Sequence, residues 1–97
     1  MTAFVTLEIA QSGHDEIGAR LAAIPEVIEV HTITGGGDLL CRVVARSNAD
    51  LQRVIDQVVA TEGITRTSTA IALATQVPNR VLPLLHAAAG TDTARRA

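Results

Sequence analysis

The chain has almost no aromatic residues. Its 97 residues include no Trp, no Tyr and a single Phe, Phe4, although 47% of them are hydrophobic. The core must therefore be aliphatic, built from Val, Ile, Leu and Ala. A chain this short buries only about two-thirds of the surface that its unfolded state exposes. So many apolar residues in so small a domain predict an interface with another chain.

Positive charge and cysteine are also scarce. All 8 basic residues are Arg, they are scattered, and the net charge is -2. This balance argues against binding nucleic acid through phosphate neutralisation, which needs a basic surface. The single cysteine, Cys41, excludes a disulfide within the chain and is typical of a small buried hydrophobe. With no signal peptide and no apolar run of about 20 residues, we expect a soluble cytoplasmic protein that does not contact a membrane.

Apolar periodicity predicts the order strand, helix, strand, strand, helix, strand. The predicted strands cover residues 2–9, 26–34, 39–45 and 64–77. Ser12 is expected to cap the first helix, which Pro25 ends, and Ser47 to cap the second, with Asp50 three residues on as in a capping box. Gly63 suits a left-handed position after that helix. The simplest packing of this element order is an α+β fold of the ferredoxin-like βαββαβ type. It consists of a four-stranded antiparallel sheet with both helices on one face.

The other face of this sheet also carries apolar side chains. On one choice of strand phase they are Phe4, Ile28, Val30, Leu40 and Val44. A second sheet packed face to face would cover them. We therefore expect a dimer that forms through the sheet.

The sequence changes character after the last predicted strand. Residues 1–77 are expected to form the domain, and residues 78–97 a C-terminal extension. Its first part is an apolar arm in which Pro83 interrupts any long helix, because an interior Pro removes a hydrogen bond and clashes with the preceding turn. Small and polar residues from Gly90 onward predict a flexible, frayed tail.

Three consecutive glycines followed by Asp38 join the second and third strands. Such a run predicts a hairpin turn. A carboxylate beside backbone N–H groups offers partners to both the ammonium and the carboxylate of an amino acid. The alternative is an Asp that binds the backbone of its own turn.

Two sequence patterns resemble the ligand-binding domain of the leucine-responsive/asparagine-regulator (Lrp/AsnC) transcription factors, also called the RAM domain. They are Val30-x-x-Ile33-Thr34-Gly35-x-x-Asp38-Leu39-Leu40 and Gly63-Ile64-x-Arg66-Thr67-x-Thr69-x-Ile71-x-Leu73. The resemblance covers about residues 2–76. It implies dimers that form through the sheet and assemble towards an octamer, with small effectors, often amino acids, bound between dimers.

Members of that family carry an N-terminal helix-turn-helix, whereas Met1 here leads straight into a predicted strand. We therefore expect an effector module that acts without a DNA-binding head of its own, including in heteromers with full-length regulators. By the resemblance, the effector site comprises Thr34, Gly35, Gly36, Gly37, Asp38, Thr67 and Thr69. The alternative for the two strand threonines is plain β-propensity. Gly36 and Gly37 stand where the family often has an acidic and an aromatic residue, which points to a larger pocket, a more mobile loop or a lost site.

No other constellation in the sequence predicts chemistry. His14, His31 and His86 are widely spaced and lack neighbours at metal-ligand spacing, and the glycines are not followed by the Lys-Ser/Thr of a phosphate loop. We expect no metal, no cofactor and no enzymatic activity. Two alternatives remain. One is a small dimeric ferredoxin-like enzyme of monooxygenase or isomerase type, which the shortage of aromatic residues disfavours. The other is an ACT-like amino-acid sensor, which shares the βαββαβ order.

Overall fold

The computed structural model describes residues 1–10, 14–35 and 37–96, with side chains as far as residue 89. The elements are β1 (Thr2–Ile9), α1 (His14–Ala22), β2 (Val27–Thr32), β3 (Leu39–Val44), α2 (Asn48–Val59), β4 (Ile64–Ala72) and α3 (Leu82–Arg96). All strand pairs are antiparallel, in the order β2-β3-β1-β4. The first six elements confirm the predicted βαββαβ fold.

The core lies on one face of the sheet, beneath α1 and α2. The sheet contributes alternate residues of its two central strands: Ala3, Val5, Leu7, Ile9, Leu39, Cys41 and Val43. The helices contribute Ile17, Leu21, Leu51, Val54, Ile55 and Val58. The predicted aliphatic core, with both helices on one face, is confirmed.

The ends of α2 follow the sequence signals. Ser47 has an extended backbone, and its hydroxyl accepts a hydrogen bond from the Asp50 N–H at 3.2 Å. Gly63 has a φ of 96°, the left-handed conformation that favours glycine. Its missing side chain also matters, because a Cβ there would lie 3.0 Å from Ile17 Cδ1. Ser12, predicted as the cap of α1, lies outside the described residues.

The phase of β2 differs from the prediction. The pairing of β2 with β3 shifts register between Val27 and Glu29. An extra residue in one strand reverses the alternation of side chains beyond it. Val30 therefore lies opposite the buried Cys41 and packs against the core, so its placement on the other face was wrong.

The second face of the sheet, here called the open face, is uncovered by either helix of the core. Phe4, Leu40 and Val44 lie on it as predicted, because their neighbours along each strand are buried. Pairing with β1 places Phe4, Val44, Ala70 and Ala72 towards one end, together with Arg42, which lies directly opposite Phe4. It places Thr6, Glu8, Arg66 and Ser68 towards the other end, together with Leu40, which lies directly opposite Thr6. The end with Glu8 and Arg66, here called the polar end, is thus the more polar of the two.

The C-terminal extension departs from the prediction. β4 ends at Ala72 rather than at Val77, and α3 runs from Leu82 to Arg96. Pro83 is the second residue of α3, where its missing N–H would have had no partner within the helix. It therefore stands at the start of a helix instead of interrupting one, and the helical backbone continues through the segment predicted to fray. Within the described part of the chain, no helix combines the length and hydropathy of a membrane span.

Cys41 provides a test of the core. Its side chain is fully buried, and desolvation raises the pKa of the thiol from 9.0 to about 11. The folded chain therefore resists ionisation of the thiol more than the unfolded chain does. Stability falls as the pH rises from the ordinary pKa of 9.0 to the folded-state pKa of about 11, because only the unfolded chain ionises the thiol freely there. We expect Ellman's reagent to modify native Cys41 only as fast as the chain unfolds, and to modify it at once in denaturant. Immediate stoichiometric reaction of the native protein would contradict this packing.

Candidate functional site

The hairpin loop between β2 and β3 is closed by one backbone hydrogen bond and joined to β1 by another. The Ile33 N–H donates to the Asp38 carbonyl at 3.1 Å, which closes the hairpin. The Asp38 N–H donates to the Leu7 carbonyl of β1 at 2.8 Å. The predicted turn is thus present, and its last residue is fastened to the neighbouring strand.

The side chain of Asp38 also binds β1. Its Oδ2 accepts a hydrogen bond from the Ile9 N–H at 2.8 Å. That N–H is available because the pairing of β1 with β3 ends at Leu7, and the pairing of β1 with β4 shifts between Glu8 and Ile9. The half-buried carboxylate therefore secures a neighbouring strand rather than its own turn. No described residue donates to Oδ1, so this oxygen can accept a further hydrogen bond.

Two of the loop glycines have conformational or steric reasons to be glycine. Gly35 is exposed and has a φ of 92°. Gly37 is buried, and a Cβ on it would collide with the Cγ2 methyl of Thr6. Gly36 lies outside the described residues. The glycine run thus has a structural explanation at two positions before any ligand is considered.

Thr67 and Thr69 lie on the helix-facing side of the edge strand β4. Their partners across the strand pair are Leu7 and Val5, which both face the core. Since α1 and α2 pack mainly over β2, β3 and β1, Thr69 is exposed and Thr67 half-buried. Within one chain β1 separates these threonines from the hairpin loop by two strand spacings, about 10 Å. One copy therefore does not bring the loop and the threonines into direct contact.

A groove at the polar end of the open face was missed by the sequence analysis. It has a volume of about 280 Å³ and is lined by Thr6, Glu8, Arg66, Thr67 and Ser68. Thr6 connects it to the hairpin loop, because Gly37 packs against the Thr6 side chain. Thr67 is the one predicted site residue in this lining, but its side chain lies on the other, helix-facing side of β4. The other lining residues are brought together by the register of β1 with β4, which no local motif reveals.

The groove presents opposite charges across one strand pair. Glu8 lies directly opposite Arg66, and in antiparallel pairs such residues have Cα atoms about 4.5–5.5 Å apart. Among the described residues, neither makes an ion pair within 4.0 Å. A carboxylate accepts hydrogen bonds from an ammonium, and a guanidinium binds a carboxylate through two parallel N–H groups. The pair therefore has the chemistry to hold both ends of a zwitterion.

A larger cleft lies at the opposite end of β3 from the loop. Its volume is about 590 Å³, and its lining residues are Pro25, Glu26, Val44, Ala45, Arg46 and Asp50. Its best acceptor is already engaged, because Arg53 Nη2 donates to Glu26 Oε2 at 2.8 Å. That hydrogen bond lowers the pKa of the Glu26 carboxyl. This cleft is thus less suited to a polar ligand than the smaller groove, although it is larger.

The histidines lie at the surface. His14, His31 and His86 are exposed, and His31 Nε2 is 3.5 Å from Glu29 Oε2. The described residues contain no cluster of three or more His, Cys, Asp or Glu side chains with the arrangement of a metal site. The histidines therefore provide no further candidate site among the described residues.

Residues 2–82 match the profile of the Lrp/AsnC ligand binding domain. Over 84 residues the chain is 27% identical to the HTH-type transcriptional regulator FL11 of Pyrococcus horikoshii, a match covering 87% of this chain and 56% of that protein. The chain thus spans about half the length of the curated relatives it matches.

Solved structures agree with this match. The crystal structure of TTHA0845 from Thermus thermophilus superposes with a TM-score of 0.72 at 32% identity, covering 80% of this chain and 98% of that one. Chains consisting of little more than this domain therefore exist. The feast or famine regulatory protein of M. tuberculosis, solved in complex with L-methionine, superposes with a TM-score of 0.70 at 28% identity, covering 81% of this chain and 54% of that one.

The matched profile covers the whole βαββαβ fold, including the hairpin loop and both strand threonines. This family is regulatory and non-enzymatic, so the enzyme alternative is set aside. The sequence profile and the fold therefore agree on the family of this chain. The chain belongs to the Lrp/AsnC ligand-binding domain family.

Proposed function

We propose that this chain is an effector-binding and oligomerisation module of the Lrp/AsnC family and that its effector is an amino acid. The observation that carries the proposal is the groove beside the hairpin loop, where Glu8 lies opposite Arg66 and neither has a described ion-pair partner. A relative with the same fold is solved with L-methionine, which supports the choice of ligand.

The proposed binding mode uses both charges of the groove. Glu8 accepts hydrogen bonds from the ligand ammonium, and Arg66 donates two to the ligand carboxylate. Thr6 and Ser68, whose side chains lie on the same face of the sheet as Glu8 and Arg66, complete the polar lining of the groove. The charge pair then discriminates amino acids from simple amines or acids, because each of those leaves one charge of the groove without a partner.

The rest of the predicted site is proposed to act when copies assemble. Thr34, Gly35 and Asp38 belong to the hairpin loop, and Thr69 is exposed on the helix-facing side of β4. Because β1 separates the hairpin loop from Thr69 within one chain, a neighbouring copy is needed to bring the loop of one copy to Thr69 of the other. Gly36, as part of the same loop, is included in this proposal. An effector at such a junction shifts the assembly equilibrium, because it binds the assembled form more tightly.

The open face supports the proposed dimer. Phe4 is 40% exposed there, and a second copy packed on this face would cover its ring. We propose that such dimers assemble further towards an octamer. We also propose that they mix in the cytoplasm with family regulators that carry DNA-binding domains.

Thermal unfolding with a panel of amino acids, L-methionine included, tests the binding proposal. At a ligand concentration of a hundred times the Kd we expect about 2.7 kcal/mol of stabilisation. Glu8→Gln and Arg66→Gln should each abolish it, because each removes one charge of the groove. Arg46→Gln, in the larger cleft, is the matched control and should retain it.

Light scattering on the same samples reports the oligomeric state with and without ligand. If no amino acid raises the melting temperature, the binding proposal is wrong. If Glu8→Gln and Arg66→Gln both keep the full shift while Arg46→Gln loses it, the site lies in the larger cleft.

A further inference from the structure

The strand β4 forms one edge of the sheet. It stands at the end of the strand order, and within the described part of the chain only β1 pairs with it. From Arg66 to Ala72 this pairing is regular, because its one register shift lies between Glu8 and Ile9. The outer side of such a strand presents a row of backbone N–H and C=O groups to which another strand can bond.

The hydrogen bonds of β1 show which groups of β4 point outward. The Met1 ammonium donates to the Ala45 carbonyl at 2.8 Å, and the Ala45 N–H donates to the Met1 carbonyl at 2.9 Å. Pairs that exchange both bonds alternate with pairs that exchange none, so the odd-numbered residues of β1 bond towards β3 and the even-numbered ones towards β4. The Ile9 N–H, which donates to Asp38 next to β3, agrees with this alternation.

Three residues of β4 therefore direct their backbone groups away from the sheet. The even-numbered residues of β1 lie opposite Arg66, Ser68, Ala70 and Ala72. The residues between them, Thr67, Thr69 and Ile71, have N–H and C=O groups on the outer side. Thr69 and Ile71 are exposed and Thr67 is half-buried, so this edge is accessible.

The two edges of the sheet differ in how well they are protected against pairing. The other edge strand, β2, has only six residues, carries the charged Glu29 and has a register shift between Val27 and Glu29. Short length, charge and an irregular backbone all discourage pairing. The nine residues of β4 include one charge, Arg66, and neither Lys nor Pro. Its regular part is thus the edge that is suited to another strand.

A second copy of β4 matches this edge. Two-fold antiparallel pairing centred on Thr69 uses all three outward residues, which gives about six backbone hydrogen bonds. It sets Arg66 opposite Ala72 of the second copy, so no charge meets a like charge. It also sets the two Thr69 side chains side by side, and cross-strand threonine pairs stabilise sheets.

We infer that two copies pair along their β4 strands, antiparallel and centred on Thr69, to form one eight-stranded sheet. The inference rests on the proposed assembly beyond the dimer and names its second contact. Each copy then has two different two-fold contacts, the open face and the β4 edge, and such copies build closed assemblies larger than a dimer. The threonine side chains stay on the helix-facing side, where the hairpin loop of a further copy can reach them.

Sedimentation of the full chain over a dilution series tests the inference. Thr69→Pro removes the outward N–H of both copies at the two-fold axis and spares the ladder with β1, since proline is tolerated where the N–H faces solvent. We expect the Kd of the larger species to rise on the order of tenfold or more, with the dimer through the open face retained. Thr69→Val, the matched variant, keeps that N–H and removes only the hydroxyl.

The outcomes separate this contact from the others. If Thr69→Pro leaves the larger species unchanged, or if Thr69→Val loses it equally, the inference is wrong. If the wild type reaches only a dimer that Phe4→Glu dissociates and Thr69→Pro does not, the inference is wrong and the sheet dimer stands. If Thr69→Pro dissociates that dimer and Phe4→Glu does not, the inference stands and the sheet dimer is wrong. A monomeric wild type overturns both.

Amide hydrogen exchange gives an independent readout on the wild type. The N–H groups of Thr67, Thr69 and Ile71 should exchange fast in dilute samples and slowly in concentrated ones. Those of Ser68 and Ala70 bond to β1 and should stay protected in both. Fast exchange of the three outward amides in the assembled protein would overturn the inference. Protection that does not depend on concentration would also overturn it, because a segment of the same chain would then cover the edge.

A disulfide tests the register. Thr69→Cys places two thiols opposite each other across the axis, with Cα atoms about 5.5 Å apart, within the range that a disulfide bridges. Thr67→Cys is the control, since its two copies lie about 13 Å apart along the paired strands. Cys41 stays buried and does not compete. We expect oxidation to link Thr69→Cys chains and not Thr67→Cys chains. Equal linking of both, or of neither, would contradict the pairing centred on Thr69.

Discussion

Replacing Asp38 with alanine should lower the free energy of unfolding by about 1–3 kcal/mol. The reason is the hydrogen bond from the Ile9 N–H to Asp38 Oδ2 at 2.8 Å, in a partly buried position. Alanine leaves that N–H without an acceptor at the point where the β1 ladder has ended. Urea unfolding of the two proteins, followed by circular dichroism, measures the difference.

The matched variant is Asp38→Asn. Asparagine keeps an oxygen that accepts from the Ile9 N–H but removes the charge, so its cost in unfolding free energy should be well below that of alanine. If both variants are as stable as the wild type, the hydrogen bond between the loop and β1 contributes nothing to the free energy of unfolding. Equal destabilisation by both would show that the charge, and not the acceptor, matters.

The same asparagine variant separates two ligand-binding modes. If Asp38 Oδ1 holds the ligand ammonium, Asp38→Asn loses the stabilisation by an amino acid. If Glu8 holds the ammonium, as the groove suggests, Asp38→Asn keeps it and Glu8→Gln loses it. Asp38→Ala alone could not make this distinction, because it changes the fold and the charge together.

Gly37→Ala should cost about 1–3 kcal/mol of unfolding free energy, the usual cost of overpacking a buried position. The new Cβ collides with the Thr6 Cγ2 methyl, whereas the next neighbour, the Leu7 carbonyl oxygen, stays at an ordinary 3.6 Å. Thr6→Ser removes that methyl and keeps the hydroxyl. The double variant should therefore recover at least half of the loss, with a coupling energy of about 0.5–3 kcal/mol.

Gly18→Ala is the control for this series. Gly18 lies within α1, and a Cβ there would meet nothing within 4 Å. Since Gly is a poor helix former, Ala at this position should stabilise the protein by about 0.5–1 kcal/mol. A cost at Gly37 that Thr6→Ser does not reduce would mean that the backbone conformation, and not the methyl contact, requires glycine.

The elements of the fold could be predicted because their signals are local. Helical spacing, the Ser47 cap and the left-handed Gly63 each depend on residues within a few positions along the chain. The errors have two other causes. Val30 changed sides because a register shift between β2 and β3 depends on both strands. Pro83 was expected to interrupt a helix because the sequence did not show that the helix begins one residue earlier.

The candidate site was predicted in part for the same reason. The hairpin loop and Thr67 are visible as local patterns, whereas the acceptor role of Asp38 toward Ile9 joins residues 29 positions apart. Glu8 and Arg66 are 58 positions apart by number and face each other only through the β1–β4 register. No spacing rule in the sequence connects them.

The sequence by itself determined the aliphatic core, the βαββαβ order and the family, since these follow from composition, short-range periodicity and motif order. The tertiary structure alone decided which charges share the groove beside the glycine loop, that Gly37 must leave room for Thr6, and which backbone groups of β4 point away from the sheet. Those features depend on strand register and on distances between distant segments, which are set by the packing of the whole chain.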